Sequence, residues 1–184
     1  MRQSMRPSAE QDETGTMAGD TGIFAFPCSF AQERLWFLDQ LVPGSSLYSI
    51  PGALRLRGAL AVEALKRGLN EIVARHESLR TTIVAVDGQP MQIVEPTARL
   101  SLPMVDLAGL PPGEREARAR GLVEEEARRP FDLAQGPLLR AGLLRLGEED
   151  HVLLLNMHHI VSDEWSSGIF YRELATLYEA YCSG

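Results

Sequence analysis

The stretch Asn156-Met157-His158-His159-Ile160-Val161-Ser162-Asp163-Glu164-Trp165-Ser166 is the part of the sequence around which the fold can be organised. It follows the apolar run 152–155 and precedes a segment with helical periodicity, so the pattern predicts a buried strand that turns into a helix here. Neighbouring side chains of a strand point to opposite faces. We therefore expect His158 to be buried on one side and His159 to face a cleft on the other.

The residues of this stretch also limit its chemistry. Burial disfavours the imidazolium form, so a histidine here is expected to stay neutral and able to accept a proton. Asp163 follows His159 by four residues, and three roles are open to it: orienting an imidazole, pairing with an arginine or capping the next helix. Two diverging histidines with no cysteine or histidine nearby do not suit zinc. No G-x-S-x-G elbow of a serine hydrolase is present.

The composition fits one domain with a real core, because 45% of the 184 residues are hydrophobic. The formal net charge of -7 and the lack of a basic run argue against nucleic acid as a partner. No apolar run is long enough to span a membrane, and the N-terminus lacks the apolar core of a signal peptide. Cys28 and Cys182 define no disulfide framework, which predicts a cytoplasmic protein with reduced thiols.

The first half of the chain carries clear local signals. Residues 1–24 are polar and are predicted to form a disordered leader. Ser29 is a predicted helix N-cap, with Gln32 at the spacing of a capping box. A strand is predicted over 47–56, and Pro51 inside it indicates an edge or a bulge. Residues 62–76 have the apolar spacing of a helix with one buried face.

The second half contains two hairpins and two helices. Segments 79–86 and 91–94 flank Asp87-Gly88, a strong turn signal, and 100–105 is a further candidate strand. A charged outer helix is predicted over 111–129, followed by strands over 138–146 and 151–158 and by a last helix. Helices and strands mix without regular βαβ alternation. This pattern favours an α+β fold, a two-layer α/β sandwich, over a doubly wound sheet.

Three stretches together resemble the condensation domains of nonribosomal peptide synthetases. The segment from Ser29 to Leu38 is similar to that family's opening SxAQxRLWxL motif, and the segment from Arg75 to Thr81 is similar to its RHExLRT motif. The segment from His158 to Asp163 is similar to its HHxxxDG signature. The resemblance covers residues 25–184, which correspond to the N-terminal of two chloramphenicol-acetyltransferase-like lobes. It implies that the C-terminal lobe is absent from this sequence.

The resemblance implies amide bond formation in the synthesis of peptide antibiotics and other secondary metabolites. An acyl thioester on the phosphopantetheine arm of a donor carrier protein is attacked by the α-amine of an aminoacyl thioester on an acceptor carrier protein. The implied partners are these carrier proteins, the missing C-terminal lobe and the downstream synthetase domains. No cofactor is expected to bind directly, and the phosphopantetheine arm belongs to the carrier proteins.

The resemblance also assigns the site residues. It makes His159 the catalytic histidine, which takes a proton from the amine or positions it, and gives His158 a structural role. Asp163 is expected in an internal ion pair, with Arg75 as first choice and Arg80 as second. Glu164 stands where the family has glycine. Glu164, Trp165 and Ser166 are therefore candidates to line the channel of the arm, where a carboxylate either obstructs the arm or turns outward.

The subtype and two alternatives stay open. The segment 34–51 resembles condensation domains that take L-configured donors, and starter domains that load a fatty acyl group look similar. One alternative is a noncatalytic lobe that docks carrier proteins, which the absent second lobe and Glu164 favour. The other is a related acyltransferase that uses coenzyme A thioesters, against which the opening motif argues.

Overall fold

A computed structural model describes residues 16–17 and 22–183 of the chain. The strands are β1 (Thr16–Met17), β2 (Phe24–Pro27), β3 (Ser49–Arg57), β4 (Thr81–Val86), β5 (Gln89–Val94), β6 (Met104–Asp106), β7 (Leu139–Gly147) and β8 (Asp150–His158). The helices are α1 (Phe30–Leu41), α2 (Val62–Arg75), α3 (Pro112–Arg128) and α4 (Glu164–Ser183). The disordered leader predicted for 1–24 lies mostly outside the described residues; within them, β1 pairs with β2.

The predicted capping box at the start of α1 is confirmed. The hydroxyl of Ser29 accepts from the backbone N–H of Gln32 at 3.3 Å, and the Gln32 side chain accepts from the backbone N–H of Ser29 at 3.0 Å. Two of the four N–H groups that a helix start leaves unpaired are thereby satisfied. This end of α1 is fixed by local chemistry, although no residue of the helix is buried.

Strands β1, β2, β4 and β5 form a four-stranded sheet in the order β1-β2-β5-β4. Its β4–β5 hairpin turns at Asp87 and Gly88, whose φ angles of 51° and 78° are both positive. A two-residue hairpin turn of this kind needs positive φ at both positions, which Asp-Gly tolerates. The predicted hairpin is confirmed, but β4 starts at Thr81 because residues 77–80 form a 3₁₀ turn.

A second four-stranded sheet, in the order β3-β8-β7-β6, carries the site. The prediction that Pro51 marks an edge strand is confirmed, since β3 lies at one end of this sheet with Pro51 opposite Asn156. The candidate strand 100–105 is shorter than predicted. The side-chain amide of Asn70 binds both the N–H and the C=O of Leu100, so these groups leave the ladder and β6 begins at Met104.

Helices cover both faces of the second sheet. On one face, α2 and α4 pack over a core in which Leu69, Ile72, Leu143, Leu153 and Phe170 are buried. On the other face, α3 packs over a smaller cluster that includes Ala119, Leu144 and Leu154. The α+β lobe predicted from the sequence is confirmed, with α3 as an additional layer. Because β8 is an inner strand with both faces covered, its C-terminal end is held firmly where the site begins.

Candidate functional site

The site begins where strand β8 ends at His158. The backbone N–H of His158 donates to Leu138 at 3.0 Å, and that of His159 donates to Tyr48 at 2.8 Å. His159 therefore lies in the turn after the strand. The two imidazoles differ in burial, as expected, but not because of strand alternation. The strand stops before His159, so the reason given from the sequence was wrong.

The imidazole of His158 is a buried part of the scaffold. Its Nδ1 accepts from the backbone N–H of Ile160 at 3.0 Å, so a neutral ring carries its proton on Nε2. The ring packs edge-on against Phe131, with centroids 5.9 Å apart, and lies 6.4 Å from the ring of Tyr48. Burial, and to a smaller extent the charge of His159, lowers the pKa of His158 to about 4. His158 thus stays neutral near pH 7 and holds the turn.

His159 is exposed, and its imidazole forms a hydrogen bond within the turn. Its Nδ1 lies 2.9 Å from the carbonyl oxygen of Ser162. A carbonyl oxygen only accepts, so Nδ1 carries the hydrogen and a neutral ring keeps its lone pair on Nε2. The two adjacent histidines therefore have opposite tautomers, and only His159 offers an accessible lone pair.

A small cavity of about 130 Å³ adjoins the turn between the end of α2 and the start of α4. It is lined by His76, Ser78, Leu79, Met157, Val161, Ser162, Ser166, Ile169 and Phe170. His159 is not part of this lining, and the expectation that it faces a cleft at the edge of the lobe stays a prediction. His159 is exposed at the surface of the lobe.

The expected ion pair of Asp163 is not formed. Its Oδ1 accepts from the backbone N–H of Ser166 at 2.7 Å and from the Ser166 hydroxyl at 2.6 Å. Its carbonyl oxygen accepts from the N–H of Ser167 at 3.0 Å. These are the bonds of a helix N-cap. Of the three roles open from the sequence, Asp163 takes the third and caps α4.

The two arginines proposed as partners of Asp163 are bound elsewhere. Arg75 lies 3.6 Å from Glu173 of α4, which also binds His76 at 2.8 Å. Arg80 contacts the carbonyl oxygen of Glu95 and lies 3.3 Å from Glu77. Both arginines fix the segment after α2 against its neighbours, so the prediction that either meets Asp163 was wrong.

The three candidate channel residues form the first turn of α4. Glu164 is its first residue and is exposed. The residue Trp165 is 81% exposed, and Ser166 donates to the capping carboxylate of Asp163 while lining the small cavity. A carboxylate in the first turn faces the positive end of the helix dipole. The geometry thus places Glu164 where its charge is favourable to the helix.

Helix α1 also contacts the turn through Gln32, which the sequence placed in the capping box and in the opening motif but not near the histidines. The Nε2 of Gln32 donates to Gln92 Oε1 at 2.8 Å and approaches the carbonyl oxygen of Ile160 at 3.4 Å. Ile160 is buried in a cluster that includes Ile83 of the first sheet, and Trp36 of α1 packs against this cluster. The capping-box spacing could point to Gln32, but nothing in the sequence could show these distant partners.

A second unpredicted group supports His158 from the α3 side. Arg140 donates to Glu126 at 2.6 Å and lies over the Phe131 ring at 3.7 Å. Glu126 in turn accepts from the amide of Asn156, two residues before His158, through its carbonyl oxygen at 2.8 Å. A nearly buried ion pair thereby fixes the aromatic ring that contacts His158.

Two kinds of feature are absent from the described residues, namely clusters of metal ligands and membrane-crossing helices. Between residues 22 and 183, no three histidine, cysteine or acidic side chains converge as metal ligands. Among α1 to α4, none combines the length and the apolar character that crossing a bilayer requires.

Comparisons of the sequence with known proteins identify the family to which the chain is similar. The family profile described as condensation domain matches residues 25–184. A linear gramicidin synthase protein of Brevibacillus parabrevis is 54% identical over 158 residues, which are 86% of this chain and 2% of that protein. Phosphinothricin tripeptide synthetase PhsC of Streptomyces viridochromogenes is 44% identical over 158 residues, 86% of this chain and 14% of that protein.

Solved structures give the same result. The starter condensation domain of rhizomide synthetase RzmA superposes with a TM-score of 0.80 at 25% identity, over 87% of this chain and 38% of that chain. The first condensation domain of the CDA synthetase superposes with a TM-score of 0.75 at 28% identity, over 86% of this chain and 41% of that chain. The chain thus spans well under half of the proteins it matches. It belongs to the condensation domain family of nonribosomal peptide synthetases.

Proposed function

We propose that this chain forms the His159-bearing lobe of a domain that joins two carrier-bound thioesters into an amide. In this step the α-amine of the acceptor forms a bond to the carbonyl carbon of the donor thioester, and the carbon–sulfur bond breaks. The amine loses a proton, and the donor's phosphopantetheine leaves as a thiol that gains one. The proposed partners are a donor and an acceptor carrier protein.

The observation that carries the proposal is the bond between Nδ1 of His159 and the carbonyl oxygen of Ser162. It leaves the lone pair on Nε2 of an exposed imidazole, where it accepts a hydrogen bond or a proton from the attacking amine. His158 and Asp163 do not contact substrate in this proposal. They hold the turn on one side and the start of α4 on the other.

We further propose that this lobe alone forms no amide. Catalysis by positioning requires both reactants to be fixed together, and this chain matches only 38% of a starter condensation domain. The remaining part of such a domain supplies the opposite wall. Cys28 and Cys182 are both free thiols, which suits the reducing cytoplasm.

Two donor classes fit the proposed site. Several relatives are peptide synthetases such as linear gramicidin synthase, which favours a peptidyl donor on a carrier protein. One starter condensation domain with a TM-score of 0.80 and 25% identity was solved in complex with C8-CoA, which favours a fatty acyl donor. Offering acyl groups on carrier protein and on coenzyme A in parallel distinguishes the two classes.

The test uses the complete two-lobed protein that contains this chain, with loaded donor and acceptor carrier proteins. We expect amide product from the wild type and a loss of at least about 10²-fold in the His159→Ala variant, the usual contribution of a positioned acid–base group. An unchanged melting temperature shows that the variant is folded. Wild-type turnover by His159→Ala overturns the assignment. A folded wild type that binds both carriers without product shows a docking lobe instead.

A further inference from the structure

The side-chain amide of Gln32 joins helix α1 to the turn that carries His159. Its Oε1 accepts from the N–H of Ser29, which closes the capping box. Its Nε2 donates to Gln92 Oε1 at 2.8 Å and reaches the carbonyl oxygen of Ile160 at 3.4 Å. One side chain thus connects the start of α1, strand β5 and the residue directly after His159.

Capping alone does not require glutamine at this position. A capping box accepts glutamate as readily as glutamine, and the positive end of a helix favours the acid. A carboxylate at position 32 would instead set its oxygen against Gln92 Oε1 and Ile160 O, which are both acceptors. The property that distinguishes Gln32 from a generic capping residue is therefore its N–H donor.

Gln32 contacts the carbonyl oxygen of Ile160, whereas the backbone N–H groups of the turn have other partners. The backbone N–H groups of His159, Ile160 and Val161 are bound by Tyr48 O, by His158 Nδ1 and by His158 O. These bonds fix the amide side of the turn. The Ile160 carbonyl oxygen faces Gln32 of α1, and the residue Ile160 as a whole is only 4% exposed. A buried carbonyl group that loses its donor is left unsatisfied unless the turn moves.

We propose that Gln32 is a positioning residue for His159. Through the Ile160 carbonyl group it fixes the turn, and so the direction in which Nε2 of His159 presents its lone pair. Gln32 itself touches neither substrate. The proposal rests on the proposed function only in taking His159 as the working group. Errors of about 1 Å in position can cost 10²-fold in rate, so a long hydrogen bond at this place has a measurable consequence.

Three variants of the complete two-lobed protein separate positioning from helix stability. Gln32→Glu keeps the capping box and removes the donor. Ser29→Ala weakens the cap and keeps the Gln32 donor. Gln32→Met removes both without adding charge. For each variant we would measure kcat and KM for the acceptor carrier protein, the melting temperature, and the NMR titration of ¹³C-labelled His159.

We expect Gln32→Glu and Gln32→Met to lower kcat by about tenfold or more with little change in KM, and to move the His159 resonance. Ser29→Ala should lower the melting temperature and leave kcat and the resonance unchanged. Wild-type kcat in Gln32→Glu overturns the proposal, as does an equal loss of kcat in Ser29→Ala. If the wild type forms no amide, the resonance still decides: a shift in both Gln32 variants supports positioning although the proposed function fails.

Discussion

The carboxylate of Asp163 accepts two hydrogen bonds from Ser166, one from its hydroxyl at 2.6 Å and one from its backbone N–H at 2.7 Å. These two bonds, the hydroxyl bond first, hold the pKa of Asp163 below its ordinary value. The aspartate of the signature thus orders the first turn of α4, which directly follows the turn of His159. Its role is to define where the helix begins.

Asp163→Ala should therefore lower the melting temperature of the protein by a few degrees, whereas Asp163→Asn should lower it less. Asparagine caps a helix about as well as aspartate, while alanine cannot. Because the folded pKa lies below the ordinary value of 3.8, the charge of Asp163 contributes stability above that pH and loses it as the pH falls through the folded pKa. Thermal unfolding of both variants at neutral pH is the measurement. An equal loss in both would point to a cation near Asp163.

Glu164→Gly should weaken the protein without accelerating amide formation. Glycine costs about 1 kcal/mol inside a helix, which is an upper limit at the first position of α4, and the acid there contributes about 0.3–1 kcal/mol through the helix dipole. We expect a lower midpoint in urea unfolding and an unchanged condensation rate in the two-lobed protein. Glu164→Gln separates charge from backbone freedom. A clear gain in rate for Glu164→Gly would show that the carboxylate obstructs the path of the arm.

His158 should make the lobe less stable in mild acid. Its folded pKa of about 4 lies below the ordinary 6.5, so the unfolded chain binds the proton first. The stability it contributes is complete above pH 6.5, declines as the pH falls towards the folded value, and changes by at most about 1.4 kcal/mol per pH unit. Urea unfolding of the wild type and His158→Gln between these pH values measures it. The variant should show a flatter dependence, and identical slopes would contradict the assignment.

Arg140→Met should destabilise the protein by about 1–3 kcal/mol, because it removes the donor that lies 2.6 Å from the carboxylate of Glu126 and leaves only Arg129, at 3.8 Å, as a cation beside it. The Arg140 side chain is only 14% exposed. The matched control is Arg128→Met, since the Arg128 side chain is 78% exposed, and this change should stay within about 0.5 kcal/mol. Chemical denaturation compares the two. Equal effects would show that the contacts of Arg140 with Glu126 and Phe131 stabilise the protein no more than the exposed pair of Arg128 does.

Local signals in the sequence predicted the elements that local chemistry determines. The capping box of Ser29 and Gln32, the Asp87-Gly88 turn and the buried face of α2 each depend on neighbours within a few residues. Pro51 indicated an edge strand because proline has no amide hydrogen to donate. Such signals place helices, turns and strands along the chain with small errors at their ends.

Contacts between distant segments were not accessible in the same way. The side-chain amide of Asn70 binds the backbone N–H and C=O of Leu100, which would otherwise pair with a neighbouring strand. A single asparagine in a helix gives no sequence signal for such a contact. The family resemblance implied a distant arginine as the partner of Asp163, whereas Ser166, only three residues away, donates to its carboxylate. A charged residue next to a helix start meets the unpaired N–H groups before any remote cation. The catalytic role of His159 is a prediction that amide formation by the His159→Ala variant would test.

Helix α1 has consequences for how the molecule opens locally. None of its residues is buried, whereas Ile72 in α2 is fully buried. Segments with few buried contacts open with a smaller free energy than the whole protein, and hydrogen exchange of their amides reports this. We expect the amides of α1 to exchange earlier than those of α2. Each such opening separates Gln32 from the turn that carries His159. On heating, we therefore expect activity to be lost at a lower temperature than the one at which the sheet containing β8 unfolds.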